Sequence, residues 1–265
     1  MTVTRVLLCR PTHFDVEYVI NPYMKPYSVD QITALIQWNQ LVAALEGLSI
    51  KVDLIDQPHG VPDMVFATDH GIILDGKVLL PNFRYEQRRK ETPYYRNWFI
   101  EQGFELYDLT NNFYFEGGDG LFVQKTLLVG TGFRTNLASC EEIATALDIN
   151  VIPLQLINPS FYHLDMCLLP LDADTAFFYP PAFSDSSRRR LRNVIPNLYE
   201  MSDEEAQGYC ANSFVSGNDV VLQAGNPGFT KRLQELGRQI VEVDVSEFKK
   251  AGGGIHCLIN TIERS

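Results

Sequence analysis

Four short segments place ionisable side chains where the surrounding pattern is apolar. "PDMVFATDHG" (62–71) carries Asp63 and Asp69, and "FYFEGGDG" (113–120) carries Glu116 and Asp119. "SFYHLDM" (160–166) carries His163 and Asp165, and "GGGIHCLIN" (252–260) carries Cys257. Acids are seldom buried without partners. Glycine weakens a strand unless the backbone must bend or approach something closely. A thiol, an imidazole and several carboxylates fit nucleophilic catalysis on a cationic carbon. The thiolate attacks, the imidazole moves protons, and the carboxylates hold a planar cation of the guanidinium kind through charge-assisted pairs. A metal site competes for the same residue types. One Cys, one His and scattered acids lack the close ligand spacing of zinc motifs, so neither metal nor organic cofactor is expected.

Elements that position these residues emerge from an internal repeat. A short strand, a tight turn, a second strand and a helix-like stretch recur, with roughly 45–50 residues between equivalent strands. The hairpins read as "GIILDGKVLLPNF" (71–83), "GLFVQKTLLVGTGF" (120–133), "MCLLPLDADTAFFYPPAF" (166–183) and "SFVSGNDVVLQAG" (213–225). Asp75-Gly76 and Gly217-Asn218 are hairpin-turn chemistry, since primed turns need positive φ. Further strands are expected at 49–56, 103–109, 149–155 and 238–245. A fifth copy is split between the termini, 4–12 with 256–264. Its helix spans 29–47, with Ile32, Leu35, Ile36, Leu41, Leu45 and Leu48 near helical spacing. The expected fold is α/β: five ββαβ repeats closed into one ring, a single domain over 1–265. In such a ring the strand ends beside Asp69, Glu116, His163 and Cys257 meet on the axis.

Composition limits the partners. The 265-residue chain has a formal net charge of −11, which repels phosphate backbones and argues against nucleic acid. Arg188, Arg189, Arg190 and Arg192 read as the solvated face of a helix. No apolar run reaches the roughly 18 residues of a membrane span, and "MTVTRVLLCRPTHF" lacks a signal-peptide layout. Five cysteines without close pairs imply a reducing, cytoplasmic setting. Besides Cys257 they read as core or surface thiols. His256 and His70 alternate away from the neighbouring Cys257 and Asp69 and read as structural. Asp63 reads as either a site residue or a turn cap.

On "PDMVFATD", "FEGGD", "RTN", "HLD" and the Gly-rich segment before the terminal Cys, the whole chain resembles the guanidino-group-modifying superfamily. This group includes arginine deiminases, dimethylarginine dimethylaminohydrolases, arginine dihydrolases and amidinotransferases. The resemblance implies a five-bladed α/β-propeller. It implies Cys257 as nucleophile, His163 as proton donor and then base, and Glu116 and Asp69 gripping the guanidinium. Arg134 in "GFRTN" matches a position that binds the substrate α-carboxylate. Arg88 matches a second, with Arg89 an equally close match. Asp119 is expected to accept backbone hydrogen bonds at the bend.

"THFDVEYVINPYM" (12–24) is similar to the arginine dihydrolase branch, which places Asn21 near the substrate. That branch usually has Asn where this chain has Asp69, the deiminase-type arrangement, so citrulline and ornithine both stand as products. The implied activity is hydrolysis of the guanidino group of free arginine or a close derivative, with homodimerisation left open. Amidino transfer, dimethylarginine hydrolysis and a catalytically silent arginine-binding module are the alternatives.

Overall fold

Asp75 and Gly76 both take positive φ, 49° and 79°, and Gly217 takes 58°, as tight hairpin turns require. The turns join strands in a computed structural model that describes residues 2–110 and 113–265. Along the chain, β1 (Val3–Cys9), α1 (Gln31–Gly47) and β2 (Lys51–Ile55) come first. Next follow β3 (Ile72–Leu74), β4 (Lys77–Leu79), α2 (Glu86–Arg89), α3 (Thr92–Glu101) and β5 (Glu105–Tyr107). The third group is β6 (Gly120–Val123), β7 (Thr126–Thr131), α4 (Ser139–Leu147) and β8 (Asn150–Gln155). The fourth is β9 (Leu168–Pro170), β10 (Thr175–Phe178), α5 (Asp185–Val194) and β11 (Asn197–Glu200). After α6 (Asp203–Gln207) come β12 (Phe214–Ser216), β13 (Asp219–Gln223), α7 (Pro227–Glu235), β14 (Gln239–Val243), α8 (Ser246–Lys249) and β15 (Asn260–Arg264).

Among the described residues these strands form five three-stranded sheets, the pseudo-fivefold ββαβ pattern of an α/β fold. In four sheets an antiparallel hairpin is extended by a parallel strand, and the chain crosses to that strand through a helix. Ile73 faces Val78 in the β3–β4 hairpin, and Val78 faces Leu106 across β4–β5. In the remaining sheet β15 lies antiparallel to β1, and β2 runs parallel to β1 with Leu8 opposite Leu54.

The chain divides into two compact units, Met1–Ala67 with Ser202–Ser265, and Thr68–Met201. Buried Leu7, Leu8, Trp38, Leu41 and Leu45 belong to the core of the first. Leu79, Phe115, Leu127, Val129 and Ile143 form a core cluster in the second. No helix is long and apolar enough to cross a membrane among the described residues.

The short helices α6 and α8 have no expected counterpart, and two other elements differ from expectation. The first is the buried face of α1, which is Ala34, Gln37, Trp38, Leu41 and Leu45. Ile32 is 76% exposed and Ile36 52%. Polar Gln37 sets the rotation: its amide donates to Asp244 and to Ser246 Oγ, and its oxygen accepts from the Glu247 backbone. Ile36→Ser should therefore change stability by less than about 0.5 kcal/mol, whereas Leu41→Ala should cost about 2–5 kcal/mol. Urea titration of both variants checks this. The second difference is β11, "NLYE", which has no counterpart among the expected strands. It is short and mostly exposed, so no apolar alternation marks it. The five cysteines are all buried and unbridged, which removes the surface-thiol reading.

Candidate active site

Tight 3-10 turns precede the first strand of several hairpins. Ala67–His70 leads towards β3, Gly117–Asp119 into β6, Leu164–Met166 towards β9, and His256–Leu258 towards β15. Asp69 and Cys257 stand inside such turns, whereas Glu116 and His163 stand immediately before theirs, at the N-cap position. Four of the repeats thus carry a candidate side chain three to five residues before a strand, at differing positions relative to the turn.

The second unit holds Asp69, Arg88, Glu116, Arg134 and His163, all buried. Glu116 Oε2 is the hub. It accepts from His163 Nε2 at 2.8 Å and Arg134 Nη1 at 2.7 Å, while Oε1 accepts from the Arg84 backbone at 3.3 Å. Burial alone would raise the Glu116 pKa. The Arg134 guanidinium and the His163 imidazole outweigh it and hold the carboxyl well below the usual carboxylate range.

His163 also meets Asp69, with Nδ1 3.7 Å from Oδ1. Burial disfavours the imidazolium, yet Asp69, Glu116 and Asp119 together push the pKa up to about 9. At neutral pH His163 therefore carries a proton that it can donate.

Asp119 accepts backbone hydrogen bonds as expected, but from two other segments of the chain rather than from its own bend. Its oxygens accept from the Leu164 backbone at 3.1 Å and the Thr135 backbone at 3.2 Å. Burial pushes its pKa up to about 7.

The glycines of "FEGGD" are explained by approach distances. A Cβ on Gly117 would fall 2.0 Å from the Thr68 carbonyl oxygen. One on Gly118 would fall 2.8 Å from Asp69 Oδ1 and 2.9 Å from His163 Nδ1. The Gly118 backbone N–H instead donates to Asp69 Oδ1 at 3.0 Å. Gly118→Ala should lower stability by roughly 1–3 kcal/mol and displace the His163 imidazole. A urea titration and the imidazole resonances would show both effects.

The two arginines are placed differently from each other. Arg134 lies between the rings of Tyr85 and Tyr162, its guanidinium carbon 4.9 and 4.5 Å from their centroids. Arg88 donates to Asp69 and grips Glu91 with Nε and Nη2. Arg89 instead donates to the Phe83 and Arg84 carbonyls.

Sequence reasoning missed Glu91, Tyr85 and Tyr162. Glu91 sits in "QRRKE", which reads as a charged surface run, yet it is fully buried. Burial lifts its pKa to about 7 against the pull of Arg88. His70 Nε2 lies 3.1 Å from Glu91, and its ring stacks on Tyr95. His70 is thus packed in the core, although Asp69 and His70 share a 3-10 turn rather than alternating along a strand, as do His256 and Cys257.

Cys257, Asn21 and Asp63 lie in the first unit and are also buried. Cys257 Sγ accepts from Asn212 Nδ2 at 3.1 Å. Asn21 donates to the Ala251 carbonyl and accepts from the Tyr23 backbone. Asp63, in the 3-10 turn Pro62–Val65, accepts from the Tyr18 hydroxyl at 2.9 Å. Among the described residues no group of three or more His, Cys, Asp and Glu is arranged to hold a metal.

Residues 10–264 match the family described as "N,N dimethylarginine dimethylhydrolase, eukaryotic". The chain belongs to this family. It is thereby a member of the guanidino-group-modifying superfamily and a hydrolase of carbon–nitrogen bonds in linear amidines.

Two relatives are similar to this chain over almost its whole length. The N(G),N(G)-dimethylarginine dimethylaminohydrolase of Mycobacterium tuberculosis is 36% identical over 255 residues, covering 96% of this chain and 84% of the relative. The bifunctional arginine dihydrolase/ornithine cyclodeaminase ArgZ of Synechocystis is 38% identical over 261 residues, covering 96% of this chain. The match spans only 37% of ArgZ. A solved structure of the N-terminal domain of ArgZ, covalently bonded to a reaction intermediate, superposes with a TM-score of 0.95 at 36% identity, covering 98% of each chain.

Proposed function

We propose that this family member hydrolyses the guanidino group of free arginine or a close derivative, using Cys257 as nucleophile. The observation that carries the reading is the buried hydrogen bond between Glu116 and His163, flanked by Asp69. It supplies an acid–base group and carboxylate charge for a planar cation. The Cys257 thiolate adds to the guanidino carbon. The leaving ammonia or amine takes the proton that His163 holds, and the electron pair of the breaking C–N bond departs with it. His163, now neutral, takes a proton from water as that water adds to the amidino carbon. The C–S bond then breaks and returns its electron pair to sulfur as the thiolate, while the added hydroxyl gives up its proton to the released ammonia or amine as the C=O bond forms. Glu116 holds the imidazole and balances the cation, and Asp69 shares the grip on the guanidinium.

In this reading Arg134 binds the substrate carboxylate and Arg88 assists it. Asn21 and Asp63 contact the substrate. The five sheets close as a five-bladed propeller. The supporting likeness is to the ArgZ domain, whose solved form carries a covalent intermediate. The setting is reducing and cytoplasmic, in keeping with five unbridged thiols, and the chain works alone or as a homodimer.

A methylated arginine is the second reading for the substrate, favoured by the family match itself. Mass spectrometry of products after incubation with arginine and, separately, with dimethylarginine tests both. Citrulline with one ammonia per arginine means a deiminase, and ornithine with two means a dihydrolase. Citrulline with dimethylamine, formed only from the methylated compound, establishes the second reading. No turnover of either compound overturns the proposal and returns the silent arginine-binding module.

A further inference from the structure

Four of the repeats carry an assigned reactive residue just before their first strand. The remaining hairpin, β12–β13, is preceded by Cys210, Ala211, Asn212 and Ser213. Asn212 is fully buried. Its backbone is held at both ends: the N–H donates to the Tyr209 carbonyl at 3.0 Å, and the carbonyl accepts from the His256 N–H at 3.1 Å.

The side-chain amide grips one residue twice. Oδ1 accepts from the Cys257 backbone N–H at 3.2 Å, and Nδ2 donates to Cys257 Sγ at 3.1 Å. A backbone N–H can only donate, so the oxygen must face it, and the NH2 is left facing sulfur. The amide orientation is thus set by chemistry. A donor fixed on sulfur favours the thiolate over the thiol, because hydrogen bonds to an ionised acceptor are the stronger kind.

The run Gly252–Gly254 supports this grip. Gly252 has φ +89°, which L side chains rarely adopt, and a Cβ on Gly253 would fall 2.2 Å from the Phe66 ring. A Cβ on Gly254 would fall 2.7 Å from Asn212 Oδ1. The third glycine therefore leaves room for the amide itself.

We infer that Asn212 is a positioning residue for the nucleophile: its amide aims Cys257 Sγ and stabilises it as the thiolate that attacks the substrate and is released again. The inference rests on the nucleophile role proposed for Cys257. No proton leaves Asn212 in this scheme. Its N–H···S bond weakens as sulfur gives its electron pair to carbon and recovers when the C–S bond breaks.

The test is the pH dependence of iodoacetamide labelling, with the labelled peptide mapped to Cys257. It compares the native chain with Asn212→Ala and Asn212→Asp, each checked for fold by circular dichroism and melting. In Asn212→Ala the midpoint of the labelling profile should rise by about one pH unit, a roughly tenfold loss of labelling rate below it. Turnover number should fall by about tenfold or more with KM nearly unchanged. Asn212→Asp is nearly isosteric and places a carboxylate beside sulfur, so its midpoint should rise further. It provides the reading if the alanine variant does not fold. Folded variants whose profiles coincide with that of the native chain overturn the inference, whatever their turnover. Cys257→Ser separates the two levels. Turnover persisting in that variant overturns the nucleophile role and this inference together. An inactive Cys257→Ser beside an unshifted Asn212→Ala profile overturns this inference alone.

Discussion

Cys257→Ser abolishes turnover and leaves the fold intact: that is the expected result with the largest effect. The change swaps one atom in a buried side chain, so packing is nearly conserved. A hydroxyl at that place keeps the hydrogen bond from Asn212 but does not ionise near neutral pH, so attack on the guanidino carbon stops. The loss should exceed about a thousandfold in turnover, or roughly 4 kcal/mol of barrier. Steady-state product formation measures it, and a melting curve within a few degrees of the native one shows the fold is kept. A serine variant that turns over within tenfold of the native rate would remove Cys257 from the chemistry.

Glu116→Gln should lower kcat/KM by about 10²–10⁴, because removing one partner of a buried charge pair costs roughly 3–5 kcal/mol. Here one oxygen serves both Arg134 at 2.7 Å and His163 at 2.8 Å, and the neutral amide balances neither. His163 should respond in a measurable direction. Its pKa stands near 9 because three carboxylates oppose its burial. With one of them gone, the titration midpoint should fall by about 1–2 units, the equivalent of a lost charged hydrogen bond. Nuclear magnetic resonance of the imidazole reads this shift directly. The alkaline limb of the rate profile should move down with it, since the step that protonates the leaving amine needs imidazolium. An unmoved imidazole midpoint in a folded variant would contradict the assignment of Glu116 as its partner.

The same groups set how stability depends on pH. His163 has a raised folded pKa, so its contribution is fully present below about pH 6.5 and is lost as pH rises through about 9. Glu116 is depressed, so its contribution is present above the ordinary carboxylate range and is lost as pH falls below it. Stability from this pair is therefore greatest between about pH 5 and 7.

The sequence by itself determined the repeat, its hairpins and the polar candidates that stand ahead of them. These are legible because they rest on local rules. Short apolar runs mark the strands, Asp75-Gly76 and Gly217 mark turns that need positive φ, and an ionisable residue interrupting an apolar run marks Asp69, Glu116, His163 and Cys257. Pairing of the terminal strands followed from the same count of repeats.

Only the tertiary structure decided which partner each side chain meets. The face of α1 turned on Gln37 reaching residues more than 200 positions away. The burial of Arg88 with Glu91, the seat of Arg134 between Tyr85 and Tyr162, and the grip of Asn212 on Cys257 are likewise contacts that no local pattern encodes. Asn212 shows the boundary. Its position before a hairpin was legible, but its role was not, because a buried amide acquires a function from the atoms it faces.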